Sequence, residues 1–262
     1  MKKTLSVFLL FLSHSVFALD LAKYPTELTS GEGVNVVIAP TTDNKQALVK
    51  VTGVNHEIDG VVFLTEINKQ GDDQRLKYTF DGSKRSLIYI ANNYGCCSYT
   101  LYLPDTKDGI YLGKKDEVKA DTVQAISALY DQQLKQGVQE KLAMFNREKH
   151  LAYQKNKIQE ADDNVAKQCG TEIPTKVDWN KISDSDLGTY AIAAYCAQVS
   201  SKVADQCAAK PAFKETAKDF KAISCDFTDE LKLRLNDQVL NFKTAPKAPN
   251  QGQFIEAYLN NM

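Results

Sequence analysis

Leu87-Ile-Tyr-Ile-Ala91, Asn92-Asn-Tyr-Gly95, Cys96-Cys97 and Ser98-Tyr-Thr-Leu-Tyr-Leu103 follow one another along the chain. Two runs rich in β-branched and aromatic residues flank a short Asn/Gly turn signal, which is the pattern of two strands and their connection. In the second run Tyr99, Leu101 and Leu103 alternate with Ser98, Thr100 and Tyr102. One face is therefore apolar and the other wet, an arrangement that antiparallel sheets accept and parallel sheets rarely do. Toward the N-terminus, Leu76–Phe80, Val61–Thr65, Ala47–Thr52 and Val34–Ile38 repeat the pattern, each short and bounded by Pro, Gly, Asn or Asp. No stretch between them has helical spacing, so a βαβ plan fails. Residues 19–115 predict an antiparallel sandwich or barrel, and we take the β-sandwich-like form as the expectation.

The pattern changes after Gly113. Proline is absent from Asp105 to Ile173, and Val123, Ile126, Tyr130, Leu134, Val138, Leu142 and Phe145 follow in steps of three and four. That is an α-helical period. Beyond Phe145 the apolar stripe thins among charged residues. Residues 116–168 therefore predict a long helical connector, buried against a domain in its first half and solvated in its second. A single helix and a hairpin broken near Gly137 or Lys149 both fit.

Residues 169–262 predict a cysteine-containing α+β block. Ser183-Asp-Ser-Asp186 offers an N-cap and an acidic first turn to a helix through Leu187, Tyr190, Ile192 and Tyr195. A second helix is expected over Val199–Ala209, and a third from Pro211, which suits a first helical position. Cys225-Asp-Phe227, Leu231–Leu235 and Val239–Phe242 read as strands, the last two as a hairpin, before a closing helix over Gln253–Leu259. The expected fold class is α+β in two domains: the sandwich-like domain, the helical connector, and a disulfide-stapled helical C-terminal domain with a β-hairpin.

Cys169-Gly170, Val177-Asp-Trp179, Tyr195-Cys196, Cys207 and Cys225-Asp-Phe227, followed by a hairpin and a final helix, make a recognisable pattern. It resembles the tail of uncharacterised secreted or periplasmic bacterial proteins with a β-rich N-terminal half and a helical middle. The resemblance covers mainly residues 169–262; it implies this architecture and export, and it carries no known activity. The chain departs from the pattern at Cys196-Ala-Gln-Val199, where a Cys-Gly-x-Pro break is expected.

Cys169, Cys196, Cys207 and Cys225 all fall in this block, and four cysteines allow three pairings. On one continuous helix, Cys196 and Cys207 would stand about 16 Å apart along the axis, too far for a disulfide. Cys169–Cys196 with Cys207–Cys225, and Cys169–Cys207 with Cys196–Cys225, both stay open. A zinc site lacks the required Cys-x-x-Cys spacing. Cys96-Cys97 is separate, at the start of a tyrosine-rich strand that places Cys97 on the inward face of Tyr99 and Leu101. A vicinal disulfide, two free thiols, intermolecular pairing and soft-metal capture are its competing readings.

Residues 1–18 have the parts of a secretory signal: Met1-Lys-Lys3, the apolar Leu5–Leu12, and Val16-Phe-Ala18 before a cut after Ala18. The apolar run is shorter than the roughly 20 residues a membrane span needs. The chain is therefore expected in the periplasm or secreted, with no membrane span after the cut. Losing Lys2 and Lys3 takes the net charge from −1 to −3. That balance argues against a nucleic-acid partner.

Beyond the signal only His56 and His150 remain as histidines, and no G-x-S-x-G elbow, P-loop, G-x-G-x-x-G or complete H-E-x-x-H occurs. Asp72-Asp73, Asp162-Asp163 and Asp184/Asp186 are the carboxylate clusters a glycosidase could draw on. They read instead as a hairpin tip, a solvated helix face and a helix cap. No catalytic, cofactor-binding or metal-ligating residue is assigned, and no cofactor is expected. Tyr89, Tyr94, Tyr99 and Tyr102, with Tyr111 beyond, are the candidates for a binding surface, because tyrosine joins apolar area to a hydroxyl. The expectation is a non-enzymatic binding protein whose partner is another envelope or secreted protein. Its rivals are a carboxylate-dependent cell-wall hydrolase, a thiol redox or metal-handling factor using Cys96-Cys97, and an inhibitor of an envelope hydrolase.

Overall fold

A computed structural model describes residues 19–93, 96–116, 121–246 and 248–262, with the backbone alone for Asn93 and Cys96. The expected signal at 1–18 and the candidate Tyr94 lie outside the described residues. The chain divides into two compact units, Met1–Met144 and Phe145–Met262.

The first unit begins with eight strands: β1 (Thr26–Thr29), β2 (Asn35–Pro40), β3 (Gln46–Thr52), β4 (Val62–Gln70), β5 (Asp73–Phe80), β6 (Ser83–Asn93), β7 (Cys96–Leu101) and β8 (Ile110–Lys114). Each pairs antiparallel with the next, and β1 returns to β8 through Leu28–Lys114 and Thr29–Gly113, closing the sheet. The expectation was a sandwich-like domain built on six apolar runs; the structure is a single closed barrel. The two strands missing from the sequence reading, β1 and β8, are the two that seal it. Closure gives each of the eight described strands a partner on both sides.

Side chains alternate about this sheet. Leu28, Val36, Val49, Val51, Leu76, Phe80, Ile88 and Leu101 point into one interior cluster and are essentially excluded from solvent. Asp81-Gly82, with φ of 48° and 70°, makes the two-residue β5–β6 turn, where positive φ matches the strand twist.

Two helices follow. On the barrel's outside, α1 (Thr122–Lys135) buries Ile126 against Ala39, Leu48 and Val62. Its Gln133 side chain accepts a hydrogen bond from the Val62 amide at 2.8 Å and donates to the Gly60 carbonyl at 3.0 Å. Gly137, at φ 69°, turns the chain into α2 (Val138–Ala143), whose Val138 and Leu142 pack on the interior cluster. The Asp81 and Gly82 amides donate to the Leu142 and Ala143 carbonyls, satisfying groups left open at the helix end.

The second unit opens with α3 (Arg147–Cys169), then β9 (Thr175–Val177), α4 (Asp184–Thr189), α5 (Ile192–Ala209) and α6 (Pro211–Ala217). It ends with β10 (Ala222–Phe227), β11 (Lys232–Asn236), β12 (Val239–Thr244) and α7 (Gln251–Asn260). The sheet order is β11–β12–β10–β9, with β10 parallel to both its neighbours and β11 antiparallel to β12. Ile192, Val199 and Val203 of α5 share one core with Ile223, Leu233, Leu240 and Phe242 of the sheet.

The 116–168 stretch is interrupted at Gly137, one of the two break points the sequence left open, and again between Ala143 and Arg147, where the boundary of the two units falls. Ser183 caps α4 as the sequence indicates, accepting from the Asp186 amide at 3.1 Å. The following helix differs from expectation. The helix stops at Tyr190 and restarts at Ile192, after which one helix runs to Ala209. Buried Gln154 of α3 bridges that break, donating to the Tyr190 carbonyl at 3.3 Å and accepting from the Ala193 amide at 2.8 Å.

The disulfides are Cys169–Cys207, joining α3 to α5, and Cys196–Cys225, joining α5 to β10. Cys196 and Cys207 do share one helix, which is why they cannot pair with each other.

Candidate functional site

Four side chains stand in a direct cross-strand row on the outside of the barrel: Arg75 of β5, Tyr89 of β6, Thr100 of β7 and Tyr111 of β8. Their outward direction follows from the pleat, because Leu76, Ile88, Ile90, Tyr99, Leu101, Ile110 and Leu112 on either side all belong to the interior cluster. Tyr102, two residues beyond Thr100, continues the same face. Tyr111 is 80% exposed, whereas Thr100 is 7% exposed, covered by its neighbours.

Tyr89 is held from two sides. Its hydroxyl donates a short hydrogen bond to the Asp73 carboxylate, and the Arg75 guanidinium sits over its ring 4.6 Å from the centroid. Asp73 also accepts from the Asn92 amide at 3.1 Å. These two donors, Tyr89 first, hold the Asp73 carboxyl below its ordinary pKa, and the same bond pushes the Tyr89 hydroxyl up. Beside this pair, Gly109 permits a close approach. A Cβ there would stand 2.4 Å from Thr100 Cγ2 and 3.0 Å from Tyr102 Cε1, so only glycine lets that side chain and ring lie over the chain entering β8.

The sequence candidates divide in consequence. Tyr89 and Tyr102 share the outer face, and Tyr111 joins them. Tyr99 does not: it is buried inside the barrel end, with Lys114 over its ring at 5.7 Å. Burial raises the Tyr99 hydroxyl pKa, against the pull of Lys114. Cys97 lies on the same side of β7 but at the strand end, where it is a free, exposed thiol rather than an inward one. The Cys96 side chain lies outside the described residues. Arg75 and Gly109 were missed; Asp73, read with Asp72 as a hairpin tip, heads β5 and holds Tyr89.

The remaining candidates serve local structure. His56 accepts from the Ile58 amide through Nδ1 at 3.2 Å, and His150 stacks on Phe145 with ring centroids 4.5 Å apart. Asp162 accepts from the Thr175 amide and hydroxyl, both at 2.7 Å, tying β9 to α3. Asp184 pairs with Arg147, and Asp186 accepts from the Ser183 hydroxyl at 2.7 Å. Among the described residues no group of three or more His, Cys, Asp or Glu is gathered as a metal site.

No protein-family model matches the chain, and no curated protein or solved structure matches it significantly.

Proposed function

We propose that this chain is an exported, non-enzymatic binding protein of the cell envelope, periplasmic or secreted, and that it meets another envelope or secreted protein through the outer face of β5–β8. The observation that carries the reading is the row Arg75–Tyr89–Thr100–Tyr111 with Tyr102 beside it. Tyrosine and arginine are enriched where protein interfaces hold their affinity. Asp73 and Arg75 fix the Tyr89 ring, and Tyr102 packs against Gly109, so little side-chain freedom is lost on contact. Two disulfides suit an oxidising compartment. Among the described residues no helix is long and apolar enough to cross a membrane.

The test is site-specific photo-cross-linking in the producing cell, with the reactive group at position 111 and, as control, at Lys45, on the β2–β3 turn. The expected result is one discrete adduct at 111 that is absent at 45 and weakened by Tyr89→Ala. Equal adducts at both positions, or no adduct at 111, would overturn the reading.

A further inference from the structure

One face of the four-stranded sheet in the second unit packs on α5, through Ile223 and Cys225 of β10, Leu233 of β11, and Leu240 and Phe242 of β12. Side chains alternate along a strand, so Ser224, Asp226, Lys232, Arg234, Asn241 and Lys243 stand on the opposite face. There the register draws a straight row across all four strands, Arg234–Asn241–Ser224–Lys176. Its two ends are long cations on the edge strands, and its middle is short and polar. A depression of about 250 Å³ lies over β10, β11 and β12. That is small beside the pockets that take drug-sized ligands, and it suits a single compact group.

Three cations, Lys232, Arg234 and Lys243, line the depression against one carboxylate, Asp226. Ser224, Asn236 and Asn241 are the neutral polar residues of its wall, and Phe242, buried in the core, completes it. The cations are not equivalent. Glu230, in the turn before β11, stands 3.1 Å from the Lys243 ammonium and 3.7 Å from that of Lys232. These two, Lys243 first, hold the Glu230 carboxyl below its ordinary pKa. Arg234 is exposed and, among the described residues, has no carboxylate partner. Its cross-strand neighbour Asn241 donates one side-chain N–H to the Val239 carbonyl at 2.9 Å, which leaves the second for a ligand.

A guanidinium fork binds oxyanions through two parallel N–H···O bonds. A carboxylate is satisfied by that fork alone, whereas a phosphate has further oxygen and charge for Lys232, Lys243 and the Ser224 hydroxyl. We propose that this depression binds a phosphate group, with Arg234 as its anchor. Asp226 opposes the anion and limits the affinity. The site is on the second unit and does not depend on the function assigned to the barrel face. The same chemistry comes from a soluble phosphate ester or from a phospholipid headgroup.

The test follows amide shifts of the isotope-labelled, oxidised full-length protein by NMR as inorganic phosphate replaces chloride at constant ionic strength. Saturable shifts should appear on β10, β11 and β12, with a dissociation constant on the order of millimolar, as for a single small contact. Acetate should bind several-fold more weakly. Arg234→Gln should weaken phosphate binding roughly tenfold, and Asp226→Asn should tighten it about threefold. Lys176→Gln, outside the lining of the depression, should change it less than about twofold. The Trp179 fluorescence transition in urea confirms that each variant folds. Sedimentation with phosphatidylglycerol vesicles, against phosphatidylcholine vesicles, separates the sources. Capture by the first alone, lost in Arg234→Gln, would assign a headgroup; phosphate binding without capture would assign a soluble ester. No saturable shift with phosphate, acetate binding equal to phosphate, or indifference to Arg234→Gln in a folded protein would overturn the proposal.

Discussion

The barrel closes through β1 and β8, whereas the sheet of the second unit ends in two open edges, β9 and β11. The barrel has a continuous ladder and an interior filled from every strand, and no disulfide among its described residues. In the second unit, β9 is three residues long and the sheet has four strands. There α5 is fixed covalently on two sides, to α3 and to β10. The contrast teaches that the covalent links fall where the hydrogen-bond topology is incomplete. The partner surface proposed above sits on the unit whose described residues carry no disulfide.

Breaking that contrast should give its largest effect on reduction. Loops of 38 and 29 residues are closed by the two disulfides. Loop-closure entropy assigns roughly 3–4 kcal/mol to each. Urea unfolding can be followed separately in the two units, because Trp179 is the only tryptophan in the chain. Reductant should move the Trp179 transition to much lower urea and leave the barrel transition, read by far-UV dichroism, in place. A common shift of both would show that the units do not stand alone.

The reciprocal change is Phe80→Ala. Phe80 is 1% exposed in the barrel interior. Its truncation should cost about 3–5 kcal/mol in the barrel transition without moving the Trp179 signal. A smaller effect belongs to Gln154→Ala. That change strands the Ala193 amide and the Tyr190 carbonyl at the α4–α5 break, costing about 1–3 kcal/mol in the second unit only, measured in the same urea series.

The smallest effect sharpens the surface itself. Tyr89→Phe removes the larger of the two donors to Asp73. The Asp73 pKa, followed by NMR titration, should rise toward the ordinary carboxylate value while staying below it, because the Asn92 amide remains. A depressed folded pKa gives stability that is present above the unfolded value and lost as pH falls through the folded one. The variant should therefore lose less barrel stability on acidification than the wild type.

The six interior runs and the Ser183 cap were legible because alternation and capping are local signals. The barrel was not, because its closure depends on β1 and β8. Thr26-Glu-Leu-Thr29 has one buried apolar residue, and Ile110-Tyr-Leu-Gly-Lys114 ends in glycine and lysine, so neither carries a strand signal of its own. Their pairing is a long-range fact between residues near 28 and 114. The disulfide pairing was narrowed to two choices by helix geometry and decided only by where β10 lies. At the candidate site, tyrosine content pointed to β6–β8, and the pleat takes Tyr99 off the outer face while leaving Tyr89, Tyr102 and Tyr111 on it. Arg75 and Gly109 gave no signal before the register placed them beside the rings.

The central claim is that the tyrosine face makes the protein's contact. It is tested most directly by the dissociation constant of the partner cross-linked at position 111, measured with wild-type protein and with the triple variant Tyr89→Ala, Tyr102→Ala, Tyr111→Ala. The barrel unfolding transition of each is recorded alongside. The prediction is a loss of about a hundredfold or more in affinity with the barrel still folded cooperatively; an unchanged constant in a folded triple variant would contradict it.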